Sequence, residues 1–114
     1  MECKGYIVNI GKAAKLSNLT VKTVRYYADI GLVKPLKNSS TGYRDFSDDD
    51  LAQLQFVAKA RKFNFSIQEC EELLSLYSDK NRPSKEVKAL TLEKISEIDA
   101  KLIELKDLRH QLSF

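Results

Sequence analysis

From Ser84 to Leu112 the chain runs about 29 residues without a glycine or a proline, and no other stretch constrains the fold as much. Within it Thr91, Ile95, Ile98, Leu102, Leu105, Arg109 and Leu112 recur at alternating steps of four and three residues. Such a repeat draws a mostly apolar seam along one side of an α-helix. Leu108 shifts the seam near the end, where the drift of a straight helix moves it as well. At 1.5 Å per residue the helix is roughly 43 Å long. A chain of 114 residues holds one small domain plus an extension, so a rod of that length has little of its own to pack against. The expected partner is the same helix of a second copy, in an antiparallel coiled coil with Ile95, Ile98, Leu102, Leu105 and Leu112 at the interface.

Charge divides the chain differently. Residues 1 to 44 hold eight basic side chains against Glu2 and Asp29, a balance of +6, while the remainder carries −3. A positive field confined to the N-terminal third suits a phosphate-facing surface. No apolar run approaches the roughly 20 residues of a membrane span. The start, MECKGYIVNIGK, lacks an apolar core behind a basic region, so no signal peptide is expected and the cytoplasm is the expected compartment. Cys3 and Cys70 lie far apart without CxxC or histidine spacing, which fits a reducing compartment. Cys70, inside SIQECEELL, reads as a helix residue packed as a small hydrophobe, and Cys3 as part of a tail.

Read in order, NIGKAAKLSNL forms a short helix capped by Asn9, with Ile10, Ala13, Ala14 and Leu16 as its apolar stripe. A break at SNL leads to Thr20, which caps a second helix through VKTVRYYADI. Val21, Val24 and Tyr27 or Ala28 face inward there, and Lys22, Arg25 and Tyr26 point outward together. Gly31 ends this helix in a left-handed conformation, and Pro35 bars its resumption. Two short helices joined by a tight turn make a helix-turn-helix, whose second helix enters the DNA major groove. Lysine, arginine and a tyrosine hydroxyl are what that groove and its phosphate walls accept.

LVKPLKNSSTGYRDFS then predicts a two-stranded hairpin, a wing, with Lys37 and Arg44 on either side of its turn to grip the DNA backbone. SDDDLAQLQFVAKARKF opens with Ser47 and Asp50 in a capping arrangement, buries Leu51, Leu54, Val57 and Ala58, and ends on Lys59, Arg61 and Lys62. Asn64 supplies a left-handed terminator, and SIQE from Ser66 to Glu69 is a capping box for the next helix. The expected organisation is a DNA-binding domain with a second-wing helix pair over residues 1–78, a linker over 79–83 and a dimerisation helix over 84–114. Its fold class is mainly α: a winged helix-turn-helix followed by a long antiparallel coiled-coil helix. Two heads at opposite ends of a pair of such helices fall near the roughly 34 to 36 Å between DNA half-sites, which suggests an operator with two-fold symmetry.

VNIGKAAKLSNLTVKTVRYYADIGLVKP, GYRDFSDDDLAQLQFVAKAR and the long terminal helix together resemble the MerR family of transcriptional regulators, in order and over essentially the whole chain. DKNRPSKEVKALTLEKISEIDAKLIELKDLRHQL is most similar to the copper-responsive efflux regulators within it. The resemblance implies a homodimer that sits on an overlong promoter spacer and distorts it so that RNA polymerase engages both promoter elements, a readout through DNA deformability. It implies DNA contacts by Lys22, Arg25 and Tyr26 on the recognition helix, Lys37, Tyr43 and Arg44 on the first wing, and Arg61 at the second. Two departures stand out. Asn64, in RKFNF, replaces the usual glycine of an RxxGF turn, a substitution the left-handed conformation tolerates. Copper-type relatives also continue into a loop with two metal-binding cysteines, whereas this sequence stops at Phe114. No metal ligand or cofactor is therefore assigned in this chain, and copper(I) enters only with such a loop. Ser84 matches the family position near the effector site, where serine goes with monovalent ions; read from the residues alone, it is a helix cap.

An enzyme is disfavoured, because the sole histidine, His110, lies beside the dimer seam with no orienting partner in the pattern. A coiled-coil adaptor leaves the winged heads without a purpose. The serious alternative is a DNA-binding architectural protein or repressor that senses no effector.

Overall fold

The computed structural model describes residues 7–78 and 85–113. Among these residues five helices and one small hairpin follow one another: α1 (Ile10–Ser17), α2 (Val21–Asp29), β1 (Leu36–Lys37), β2 (Arg44–Asp45), α3 (Asp48–Lys62), α4 (Ile67–Ser78) and α5 (Lys85–Leu112). The chain divides into two compact units, Met1–Glu71 and Glu72–Phe114. The linker expected over 79–83 and the helix start expected at Ser84 lie outside the described residues.

Local chemistry starts each helix of the first unit. The Asn9 side chain accepts from the Lys12 amide at 2.9 Å, and Thr20 Oγ1 accepts from the Thr23 amide at 3.1 Å. Ser47 and Asp50 close a full capping box, as do Ser66 and Glu69. These bonds satisfy amides that a helix N-terminus otherwise leaves without partners.

One device ends α1, α2 and α3 alike. Asn18, Gly31 and Asn64 take left-handed backbone at φ 59°, 81° and 72°. The next amide then returns to a carbonyl five residues back: Leu19 to Ala14, Leu32 to Tyr27 and Phe65 to Ala60, at 2.9 to 3.1 Å. This is the Schellman closure, and the apolar residue that follows each left-handed position is its usual companion. The break between α1 and α2 accordingly falls on Asn18–Thr20, one residue later than SNL predicts, because Ser17 remains helical.

Small residues form the contact face of α1. Ala13, Ala14 and Ser17 are buried, and the helix packs against both α2 and α3. Leu16, expected in the stripe, is exposed instead; at 100° per residue it lies roughly 100° from the centre of the buried face. Val21, also expected inside, is exposed as the first residue of α2, while Val24 and Tyr27 are buried. In α3 the buried row is Leu51, Leu54, Val57 and Ala60. Steps of three turn that row about 60° around the helix each time, so the regular helical period selected Ala58, which is half-buried.

The hairpin is short and antiparallel, pairing Leu36 with Asp45 and Lys37 with Arg44. It is extended at its base by a bridge between Val8 and Phe46, closed by amide bonds of 3.0 and 2.8 Å. Phe46, Leu54, Val24, Val33 and Val57 are fully buried and make the centre of the first unit's core.

Helix α5 has 28 residues, about 42 Å of rod. Val87 is its one buried side chain among those described. Ile95, Ile98, Leu102, Leu105 and Leu112 are all exposed, and Leu92, Ile103 and Leu108 are exposed beside them. Thr91 meets its own helix, its hydroxyl donating to the Val87 carbonyl at 2.8 Å.

Candidate nucleic-acid interface

Helix α2 presents a face that serves no packing purpose. Lys22, Arg25 and Tyr26 are exposed at spacings of three and one, on the side opposite buried Val24 and Tyr27. The Tyr26 and Tyr27 rings lie 6.0 Å apart and tilted by 48°, so the outward tyrosine rests beside the one anchored in the core. The helix has no acid in its first turn. Its N-terminal partial charge is therefore left to favour an incoming anion.

The wing follows within a few residues, and Asn38 organises it. Its side-chain oxygen accepts from the amides of Ser40 at 2.8 Å and Thr41 at 3.1 Å, while its side-chain nitrogen donates to Asp45 at 3.1 Å. Thr41 Oγ1 accepts from the Tyr43 amide at 3.1 Å, and Gly42 turns the chain at φ 78°. These bonds hold out Tyr43, whose surface is 74% exposed although nothing in the core needs an aromatic there. An exposed tyrosine on a tight, internally bonded turn presents both a ring and a hydroxyl to the surroundings.

Arg44 differs from the other expected contacts because it already has a partner. Its Nη2 donates to Asp29 Oδ1 at 2.7 Å, joining β2 to the last residue of α2. Lys37 stands directly across the ladder from Arg44, so the two side chains leave the same face of the hairpin. Arg61 is likewise engaged: Nη1 donates to the Phe65 carbonyl at 2.9 Å, bracing the turn after α3. Lys59, Arg61 and Lys62 all lie in the last turn of α3, where positive charge complements the helix dipole. The sequence reading missed the Asp29–Arg44 pair and the Asn38 hub. The signal for the first was available, since Asp29 is the only acid between Lys4 and Arg44.

Cys70 is fully buried. Burial pushes its thiol above the ordinary value of 9.0, Arg61 pulls against that rise, and Glu69 adds to it. Such a thiol is a reluctant metal ligand or nucleophile. Among the described residues no group of three or more His, Cys, Asp or Glu is placed to hold a metal ion. Ser84 and Cys3 lie outside those residues, and His110 is exposed near the end of α5. No described helix is long and apolar enough to cross a membrane.

Comparison with known proteins agrees with this geometry. The model of the MerR HTH family of regulatory proteins matches residues 8–76, and the model described as MerR, DNA binding matches residues 51–113. The chain is 45% identical to the HTH-type transcriptional regulator HmrR of Rhizobium leguminosarum bv. viciae, over 92% of this chain and 81% of that protein. It is 41% identical to the HTH-type transcriptional regulator CueR of Salmonella typhimurium, over 92% of this chain and 76% of the relative. The solved structure of the transcription regulator PbrR691 from Ralstonia metallidurans CH34, in complex with lead(II), superposes with a TM-score of 0.65 at 28% identity. That match covers 92% of this chain and 82% of the other. With both family models matching more than half of its length, and the exposed helix and wing in place, the chain belongs to the MerR family of helix-turn-helix DNA-binding transcription regulators.

Proposed function

We propose that two copies of this chain, joined along α5, bind a promoter with two-fold symmetry and regulate its transcription by distorting the spacer in the presence of RNA polymerase. The carrying observation is the exposed Lys22, Arg25 and Tyr26 face of α2 beside a wing that displays Tyr43. Lys22 and Arg25 reach phosphates and base edges in the major groove, Tyr26 adds a hydroxyl, and Lys37, Tyr43 and Arg44 hold the backbone alongside. Arg61 does the same at the second wing while bracing its turn. The bare seam of Ile95, Ile98, Leu102, Leu105 and Leu112 supplies the dimer interface, and its length of about 42 Å is compatible with half-sites roughly 34 to 36 Å apart. The protein works where the DNA is, in the cytoplasm.

A metal effector is supported by the lead(II) complex of PbrR691 and by the resemblance to copper-responsive regulators. The described residues themselves do not fit a copper(I) site, because their one cysteine, Cys70, is buried and holds its proton tightly. The second reading is a DNA-binding repressor or architectural protein with no effector.

Selection of duplexes from a randomised pool, followed by gel-shift titration, tests DNA recognition. Arg25→Ala is expected to weaken binding to the selected duplex by about 5- to 150-fold. Unchanged affinity sinks the groove assignment. In vitro transcription from the selected site, with and without copper(I), separates the two readings.

A further inference from the structure

Asp29 is out of place by every local criterion. It is the single acid in a basic stretch that runs from Lys4 to Arg44. It sits at the C-terminal end of α2, where the helix dipole disfavours an anion and no basic residue of the last turn offsets it. On a DNA-facing element it also repels phosphate. A residue that breaks three local preferences is expected to have its reason elsewhere in the fold.

The structure supplies that reason at 2.7 Å. Asp29 Oδ1 accepts from Arg44 Nη2, across fifteen residues of chain. The hairpin needs such a tether. Its strands are two residues long, and its ladder sets Lys37 directly opposite Arg44, a like-charge pairing that pushes the strands apart. Asp45, the acid on the wing itself, accepts from Asn38 within the hairpin. Asp29 is thus the carboxylate seen to bridge from the recognition helix to the wing. Because Nη2 is the engaged atom, the planar guanidinium still has further N–H donors in a fixed direction.

We infer that Asp29 is a positioning residue for DNA binding: it clamps Arg44, and through it the first wing, at the angle to α2 from which Arg44 meets the phosphate backbone. This rests on the DNA-binding reading above and assigns Asp29 no contact with DNA.

The sign of one substitution separates this role from that of a bystander. Removing an acid from a DNA-facing surface tightens binding when only charge matters. Under the positioning role Asp29→Asn weakens binding to the selected duplex, by about 5-fold or more, and lowers the slope of log K against log salt by about 1. Arg44→Ala gives the same slope loss, Asp29→Asn adds nothing further on top of it, and Asp29→Glu restores most of the affinity. Equal or tighter binding by Asp29→Asn, or weaker binding with an unchanged slope, overturns the inference. So does loss of the helical circular dichroism signal in Asp29→Asn, which makes the pair a folding element. Failure of the wild-type chain to select any duplex refutes the DNA-binding reading itself, a separate outcome.

Discussion

Ser17→Ala is expected to stabilise the chain, against the usual direction of substitutions in a core. Ser17 is 3% exposed, and its hydroxyl has no hydrogen-bond partner among the described residues. A buried hydroxyl without a partner leaves a desolvation cost of about 1 to 3 kcal/mol uncompensated. Alanine removes the hydroxyl and is the better helix former, by a few tenths of a kcal/mol at the last position of α1. The opposing loss is the dispersion contact of one oxygen atom, about 0.1 to 0.2 kcal/mol for each neighbour it touches. The net gain is about 1 to 2 kcal/mol, and each kcal/mol raises Tm by roughly 4 to 8 °C in a domain of this size. Urea unfolding monitored by tyrosine near-ultraviolet circular dichroism measures it, the chain having five tyrosines and no tryptophan. Affinity for the selected duplex stays unchanged, since Ser17 lies on the packed face of α1. A variant less stable than the wild type refutes the reasoning and shows that the hydroxyl bonds a carbonyl, most directly that of Ala13, one turn back.

Two further outcomes follow from α5 and from Cys70. Ile98 is 46% exposed in the middle of an uncovered seam, so Ile98→Asp is expected to give monomers in equilibrium sedimentation. A dimer that survives the substitution removes the seam from the interface. The Cys70 thiol has a higher pKa folded than unfolded, so the folded state binds that proton more tightly. Its contribution to stability is complete below the unfolded value and is lost as pH rises past about 9 toward the folded one. Cys70→Ala therefore loses less stability than the wild type between neutral and alkaline pH. Cys70 also resists iodoacetamide until the chain unfolds, as read by mass spectrometry of the labelled peptide. Rapid labelling of the native protein contradicts the burial argument.

What the sequence determined was the start and stop of each helix in the first unit, most of it decided within about five residues of chain. Asn9, Thr20, the Ser47 and Asp50 box, and the Ser66 and Glu69 box each join a side chain to an amide three residues away. Gly31 and Asn64 were legible as left-handed stops because few residues adopt that backbone without strain. The outward face of α2 was legible for the same reason, since helical geometry alone sends Lys22, Arg25 and Tyr26 away from Val24 and Tyr27. The tertiary structure decided what depends on distant partners. Leu16 left the core because α2 and α3 meet α1 over Ala13, Ala14 and Ser17, small residues that a search for large apolar side chains undervalues. Ala60 displaced Ala58 because the buried row of α3 winds around its helix. Val8 found Phe46, Gln55 found the Leu16 carbonyl, and Asp29 found Arg44 across separations for which no local rule exists. Arg44 shows the difference most plainly: its residue type announced a cation at the wing, and only the fold supplied the carboxylate it pairs with.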